Sequence, residues 1–314
     1  MTDHVQIFIF SKGRIGKQKT LKYLPQNTIK EQVTFVTPKS EIREHKAQDY
    51  GKGLDYMAAP ENIHLADKRR WVVENYLKSG GRYFMMADDD LGLSIHNKET
   101  GKFVSLRKYD NTKRVESYFN RHLPKLFTKH KMIGLASKFM ADAYVKKNGF
   151  YKENTKCCCF FGYDGEELLN TVPYEATKTM WSLDTTWNLF MLQAGHSAVS
   201  DYHMLWDAVF ETAKSPGGAN LYRNKETSYH AMLRTMLLFP GLISRGRDGL
   251  HHSSFLRIDW RHATSDISLL KDKGRELFKA ELEFQKTDVK TFLSALPSES
   301  KSYYRELARN LLKP

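Results

Sequence analysis

The chain has 314 residues, 41% hydrophobic and 12% aromatic, enough for one large core or one domain with a small appendage. With 9 prolines and 19 glycines it leaves little room for disordered linkers. No apolar run reaches the roughly 18 residues that a membrane helix needs. A balance of 49 Lys and Arg against 36 Asp and Glu gives a formal charge of +13. That excess favours a polyanionic partner, nucleic acid ahead of a membrane surface, because no amphipathic anchor or polybasic tail is seen. A solvated basic surface without a partner is the plainer alternative.

Val5 to Phe10 (VQIFIF) is a nearly continuous apolar run, the pattern of a strand buried on both faces. It ends in Ser11-Lys12-Gly13-Arg14-Ile15-Gly16, a loop signal. Lys17 to Leu24 reads as a helix closed by Pro25, Val33 to Thr37 as a strand, and Pro38 onward as a helical stretch toward Asp49. Residues 50–60 read as a loop and a short strand. Ile63 to Ser79 is an amphipathic helix stopped by Gly80-Gly81. Arg82 to Ala87 (RYFMMA) is a strand that runs into Asp88-Asp89-Asp90. Three strand-loop-helix passes in ninety residues predict a doubly wound parallel sheet. Such sheets bind ligands beyond the carboxyl ends of their strands, where the 11–16 loop and the aspartate run both fall.

Further on, Leu93 to Leu106 resembles a hairpin and residues 111–130 a long basic amphipathic helix. Met132 to Ala136 and Cys157 to Gly162 read as strands, and Asp184 to Gly195 as a helix. The tail from Thr264 is helical over 266–285, 288–296 and 298–312. The three contiguous cysteines, Cys157, Cys158 and Cys159, fit neither a disulfide framework nor a zinc spacing. They suggest part of a buried strand in a reducing compartment. The N-terminus enters a strand with no signal-peptide design, so the expected location is cytoplasmic.

The strongest chemical signal is MADDDL. Three consecutive carboxylates repel one another unless something positive binds, and a hard divalent cation does so directly. Asp88 and Asp90 can reach one ion from a bent loop while Asp89 faces another way. The ion would bridge the diphosphate of a nucleotide-sugar and neutralise the charge that grows as the glycosidic bond breaks. Donor contacts would come from Ser11, Arg14 and Lys17, from Arg69 on the following helix, and from the aspartates, with ordinary surface cations as the plain alternative. Asp184, in Trp181-Ser182-Leu183-Asp184, reads first as a helix N-cap and second as a general base. His203, His230, His251 and His252 can each complete a metal site, and His251 is the one assigned to it. Gly217 and Gly218 could present backbone N–H groups to the donor's phosphates.

The run IFIFSKGRIGKQKTLKYLP, then VTFVTP, ADKRRWVVENYLKSGG, YFMMADDDL, SLDTTWNLFMLQAG and PGGANLYR resembles the phage glycosyltransferases associated with TET/JBP-type base hydroxylases, relatives of the base J glucosyltransferase. The resemblance spans about residues 5–260. It implies a GT-A-like α/β fold with a mostly parallel sheet and helices on both faces, followed here by a helical C-terminal region. The corresponding division is a catalytic domain at 1–262 and a helical extension at 263–314, a candidate for DNA contact. It implies donor contacts at Ser11, Arg14 and Lys17 and metal and ribose contacts at Asp88 and Asp90. It makes Asp184 the base, although Leu183 stands where an acidic pair would have its first member.

The implied reaction moves a sugar from a UDP-type donor, with manganese or magnesium, to a hydroxymethylpyrimidine in DNA, hydroxymethylcytosine before hydroxymethyluracil. The enzyme is expected to be a monomer. The basic helix at 111–130, with Lys113, Arg114, Arg121 and Lys125 and then Lys129 and Lys131, is the expected backbone contact. Two other functions stay open: a GT-A transferase acting on a polysaccharide or small acceptor, and a non-catalytic nucleic-acid-binding protein.

Overall fold

The computed structural model describes residues 5–107, 112–139, 141–179, 183–208, 225–246 and 256–313. They form two compact units. The first comprises Met1–Ile63, Lys68–Leu169 and His196–Leu221, and the second His64–Asp67, Asn170–Gly195 and Tyr222–Pro314.

The first unit is built on a sheet. In chain order its elements are β1 (Val5–Phe10), α1 (Gln26–Gln32), β2 (Val33–Pro38), α2 (Ile42–Lys46), β3 (Asp55–Ala59), α3 (Leu65–Lys78, its first turn assigned to the second unit), β4 (Tyr83–Asp88), β5 (Leu91–Asn97) and β6 (Lys102–Ser105). Then come α4 (Thr112–Ser117), α5 (Leu123–Phe127), β7 (Met132–Ser137), α6 (Ala141–Asn148), β8 (Tyr151–Glu153), β9 (Phe160–Asp164), α7 (Gly165–Thr171), which closes across the unit boundary, and later β10 (Ala198–Ala208). The strand order is β3-β2-β1-β4-β9-β7-β10-β5-β6, with β8 against β10. The strands β1, β2, β3, β4, β6, β7 and β10 run one way and β5, β8 and β9 the other.

Alternation along the central strands sends side chains to two faces, and both are covered. Ile7, Ile9, Met85, Ala87, Ile133 and Leu135 pack with Ile29 of α1 and with Val115, Phe119, Leu123 and Phe127 of the helical segment at 112–127. On the other face Tyr76 of α3 meets Phe8 at 5.3 Å and Phe84 at 6.5 Å between ring centroids. Burying each such side chain contributes about 1.5–3 kcal/mol. The GT-A-like α/β class expected from the sequence is therefore the one observed, with a mostly parallel sheet that is antiparallel at β9 and along its β5 side.

Several local expectations change. Lys17–Leu24 is not an α-helix; only Thr20–Tyr23 forms a 3-10 turn, because Thr20 is used elsewhere (below). Pro25 does not close a helix but caps α1, its fixed φ of −61° suiting an N-cap. The basic segment at 112–127 is helical as expected, but a π turn at Tyr118–His122 interrupts it. The cysteines precede β9 rather than lying in it, and Cys159 has φ +63°. None of the three is in a disulfide. Cys157 packs so closely on β7 that a Cβ at Gly134 would lie 2.7 Å from its own Cβ.

In the second unit α8 (Tyr174–Thr177), α9 (Leu183–Gln193), α10 (Lys225–Leu238), α11 (Lys271–Phe284), α12 (Val289–Ser294) and α13 (Ser298–Leu312) accompany a hairpin of β11 (Ile243–Arg245) and β12 (Leu256–Ile258). The expected C-terminal helices are thus α11 to α13. Tyr304 of α13 donates to Ala176 O at 2.6 Å and lies under the Arg234 guanidinium at 4.9 Å. Asp288 accepts the Thr291 N–H at 2.7 Å and so caps α12. No helix among the described residues is long and apolar enough to cross a membrane.

Candidate active site

β1 and β4 lie side by side with Phe10 paired to Asp88, so the loop after β1 and the aspartate turn leave the same edge. Thr20 fastens the two together. Its hydroxyl donates to Asp88 O at 2.6 Å and accepts Leu91 N–H at 2.9 Å, while the Lys19 and Thr20 N–H groups donate to Asp89 O at 2.9 and 3.2 Å. These bonds hold the segment around Thr20 out of an α-helix. From the other side Cys159 O accepts Asp88 N–H at 3.1 Å, and the left-handed backbone of Cys159 accompanies that contact.

The three carboxylates then part. Asp89 turns inward and its side chain is 4% exposed, whereas those of Asp88 and Asp90 are 40% and 22% exposed. Arg14 bridges Asp89 at 2.6 Å and Asp90 at 3.0 Å. Gln18 donates to Asp89 at 3.2 Å and to Ser11 Oγ at 2.8 Å. Burial raises the Asp89 carboxyl above its ordinary range, with Arg14 and Ser11 opposing that shift. Arg69 pairs with Asp88 at 2.9 Å, and its guanidinium sits 5.2 Å from the Phe161 ring and 5.7 Å from that of Phe10. Two guanidinium nitrogens, Arg14 Nε and Arg69 Nε, are buried without a hydrogen bond.

Asp88 and Asp90 are the accessible carboxylates of the run and the two that could hold a hard cation, each at present paired with an arginine, while Asp89 faces inward. The glycine N–H groups of the 11–16 loop have protein partners. Gly13 N–H already donates to the Glu41 carboxylate at 2.9 Å, and Gly16 N–H to Tyr50 Oη at 3.1 Å. His45 supports both acceptors, at 3.6 Å from Glu41 and 2.8 Å from Tyr50. Positive charge at this edge comes instead from side chains. Lys17 is exposed, and Lys68 is only 4% exposed.

Burial, with Lys12 nearby, lowers the Lys68 ammonium from 10.5 to about 8 against the opposing pull of Glu41 and Glu61. The folded chain therefore binds fewer protons than the unfolded one between those values, so stability rises with pH across that window and the burial cost is fully present below it. Lys68→Met is expected to raise stability at pH 7 by an amount on the order of 3 kcal/mol, with a higher melting temperature, and the gain should vanish above about pH 10. Melting curves of both proteins from neutral to alkaline pH check this; a gain independent of pH would contradict it.

The same edge continues across the sheet. Trp206 pairs with Ser137 and Asp207 with Gly92, two residues beyond Asp90. Asp207 is 53% exposed and lies 3.7 Å from Lys138. Phe139, just past β7, is 83% exposed. Sequence reasoning missed Glu41, Asp207 and Phe139, whose only signal is their place at a strand or helix end.

Other expected site residues lie elsewhere. His203 does not join the aspartates; it sits on β10 with its Nδ1 2.7 Å from Asp201, at most about 13 Å along the strand from Asp207. His230 belongs to the second unit and packs 5.8 Å from Phe292. Asp184 is also in the second unit, in the first turn of α9 rather than at its cap, where its charge suits the helix dipole. Lys113, Arg121, Lys125 and Lys129 are exposed and Arg114 partly so. Lys131 is held by Asp164 at 2.9 Å at the start of β7, the edge opposite the aspartates. Gly217, Gly218, His251 and His252 lie outside the described residues.

Among solved structures the chain is similar to an assigned nucleotide-diphospho-sugar transferase from Desulfovibrio desulfuricans, at 10% identity and TM-score 0.37, over 72% of this chain and 93% of that one. It is also similar to an assigned glucose-1-phosphate thymidylyltransferase from Bacillus anthracis, at 12% identity and TM-score 0.32, over 59% and 82%. A third is the mannose-1-phosphate geranyltransferase of Thermus thermophilus, at 11% identity and TM-score 0.27, over 76% and 64%. No protein of curated function matches. Residues 5–218, which carry the sheet and the aspartate turn, match the TET-Associated Glycosyltransferase family, and with more than half of its length so matched the chain belongs to that family and is a glycosyltransferase.

Proposed function

We propose that the protein is a metal-dependent transferase that moves a sugar from a UDP-type donor to the hydroxyl of a 5-hydroxymethylpyrimidine in DNA, hydroxymethylcytosine first. The observation that carries the donor side is the pair of accessible carboxylates, Asp88 and Asp90, flanking the buried Asp89 at the carboxyl edge of the parallel strands. Manganese or magnesium held by Asp88 and Asp90 would supply charge neutralisation for the departing diphosphate. Arg14 and Arg69 sit against those aspartates and place two fixed cations at this edge, where an anionic donor would meet them. Asp89 acts at one remove, fixing Arg14 and Gln18.

On the acceptor side, Phe139 offers an exposed ring at the same edge, and a base taken out of its stack needs such a partner. The net charge of +13 supports a polyanionic acceptor. Asp184 and Asp207 are the two candidates for taking the proton of the acceptor hydroxyl. We assign the catalytic role to residues 1–262 and backbone contact to the exposed cations of the helical segment at 112–127, with the 263–314 helices as an auxiliary DNA surface and the enzyme acting as a monomer.

The test is a panel of nucleotide-sugars incubated with manganese and DNA bearing either hydroxymethyl base, read by nucleoside mass spectrometry. A hexose mass added to one modified nucleoside is the expected result. Transfer only to glycans or small alcohols would overturn the DNA assignment. Phe139→Ala is expected to weaken transfer to DNA by about 10-fold, the size of one base–aromatic stack, while leaving donor hydrolysis intact. An equal loss in both reactions would remove Phe139 from the acceptor site.

A further inference from the structure

A second polar cluster lies in the first unit, away from the aspartate turn. Asp201 and His203 are two apart on β10, where its pairing with β7 shifts register, and Asp201 Oδ1 accepts the His203 backbone N–H at 2.9 Å, which holds the two side chains together. The π turn at Tyr118–His122 brings two more groups to them, and such turns recur at functional positions. Asp201 is fully buried. Its Oδ2 accepts from Tyr118 Oη at 2.9 Å and lies 2.8 Å from His122 Nε2. Its Oδ1 lies 2.7 Å from His203 Nδ1. The two imidazoles are 4.7 Å apart, each about 30% exposed, so solvent reaches the rings but not the carboxylate. Phe150 stacks on His203 at 4.3 Å and Tyr151 over His122 at 6.3 Å, which fixes both ring planes.

We propose that His122, Asp201 and His203 bind one transition-metal dication of the zinc class, independently of the ion at the aspartate turn. One ligand atom from each residue falls within 4.8 Å of the others, so a small inward shift of the two rings brings all three to bonds of about 2.0–2.2 Å with one ion. Two imidazole nitrogens and one carboxylate oxygen select zinc, nickel or cobalt over magnesium and calcium. Each ring needs only to carry its proton on the opposite nitrogen to present a lone pair, and the exposed side leaves a path for the ion and a position for water. Tyr118, bonded to Asp201, orients the ligating carboxylate, as second-layer donors do at such centres. The ion would pin the helical segment at 112–127 to β10. The oxygen-only aspartate turn and this nitrogen-rich cluster thus sort two metals by donor chemistry.

The experiment uses the full chain stripped with chelator and titrated with zinc chloride by calorimetry, with melting curves in parallel and cobalt(II) absorption as a check on nitrogen ligation. We expect one zinc per chain at this cluster and a rise in melting temperature of about 5 °C at saturation. In the double variant His122→Gln, His203→Asn the amides can still donate to Asp201, so the metal-free protein should melt within about 2 °C of wild type. Its zinc affinity should fall about 100-fold or more and its zinc-induced rise should disappear. Asp88→Asn and Asp90→Asn should keep the zinc. Zinc uptake by the double variant equal to wild type, or uptake lost in the aspartate variants instead, would overturn the proposal, as would no uptake by wild type.

Discussion

Asp90→Asn is expected to lower sugar transfer by about 100- to 1,000-fold with the fold intact, the size of effect that follows loss of one group stabilising transition-state charge. The amide keeps an oxygen that can accept from Arg14, now at 3.0 Å, so the turn should retain its shape. What disappears is the negative charge, on a side chain that is 22% exposed and able to reach an ion. The variant's stability should therefore lie within about 1 kcal/mol of wild type, yet it should need far more manganese for the residual rate. Asp89→Asn is the contrast. Its side chain is 4% exposed and faces Arg14 and Gln18, so its main effect should be on how Arg14 is held, with metal dependence largely kept. Rates against manganese concentration for both variants, beside their melting curves, check this. An Asp90→Asn enzyme within threefold of wild type at every manganese concentration would rule out the aspartates as the metal site.

Arg14→Met should be the most destabilising single change at the site. Removing one partner of a buried pair leaves the other charge uncompensated, at about 3–5 kcal/mol. A drop in melting temperature of about 10 °C is expected. The effect should depend on pH with a defined sign. Burial already holds the Asp89 carboxyl above its ordinary range, and without Arg14 it rises further. A folded pKa above the unfolded one means that stability falls as pH rises through the window between them. The deficit of Arg14→Met relative to wild type should thus be smallest near about pH 4 and full by neutrality. Adding Asp89→Asn should recover a good part of it. A deficit that is flat with pH and untouched by the second change would show that Arg14 stabilises by packing alone.

The parts of the fold legible in the sequence are those where one rule acts alone. β1, β2 and β4 are short apolar runs buried on both faces, and α3 carries a clean helical stripe, so each falls where expected. The aspartates could be placed at the ligand edge for the same reason. Legibility failed where side chains compete with local preference. Thr20 spends its hydroxyl and amide on the aspartate turn, which overrides helical propensity around it. β10 hid because Ser200, Asp201 and His203 break its apolar pattern, and the buried Asp201 among them finds Tyr118 and His122 about eighty positions away. Pro25 misled because the same ring that stops one helix can begin another.

Arg14 and Asp89 are 75 residues apart in the chain, and the bond between them closes only after β1 and β4 have met. Bringing such distant segments together requires a loop-closure entropy that no local structure offsets in advance. The acidic turn should accordingly be one of the last regions to settle during folding, and one of the first to loosen when β1 frays.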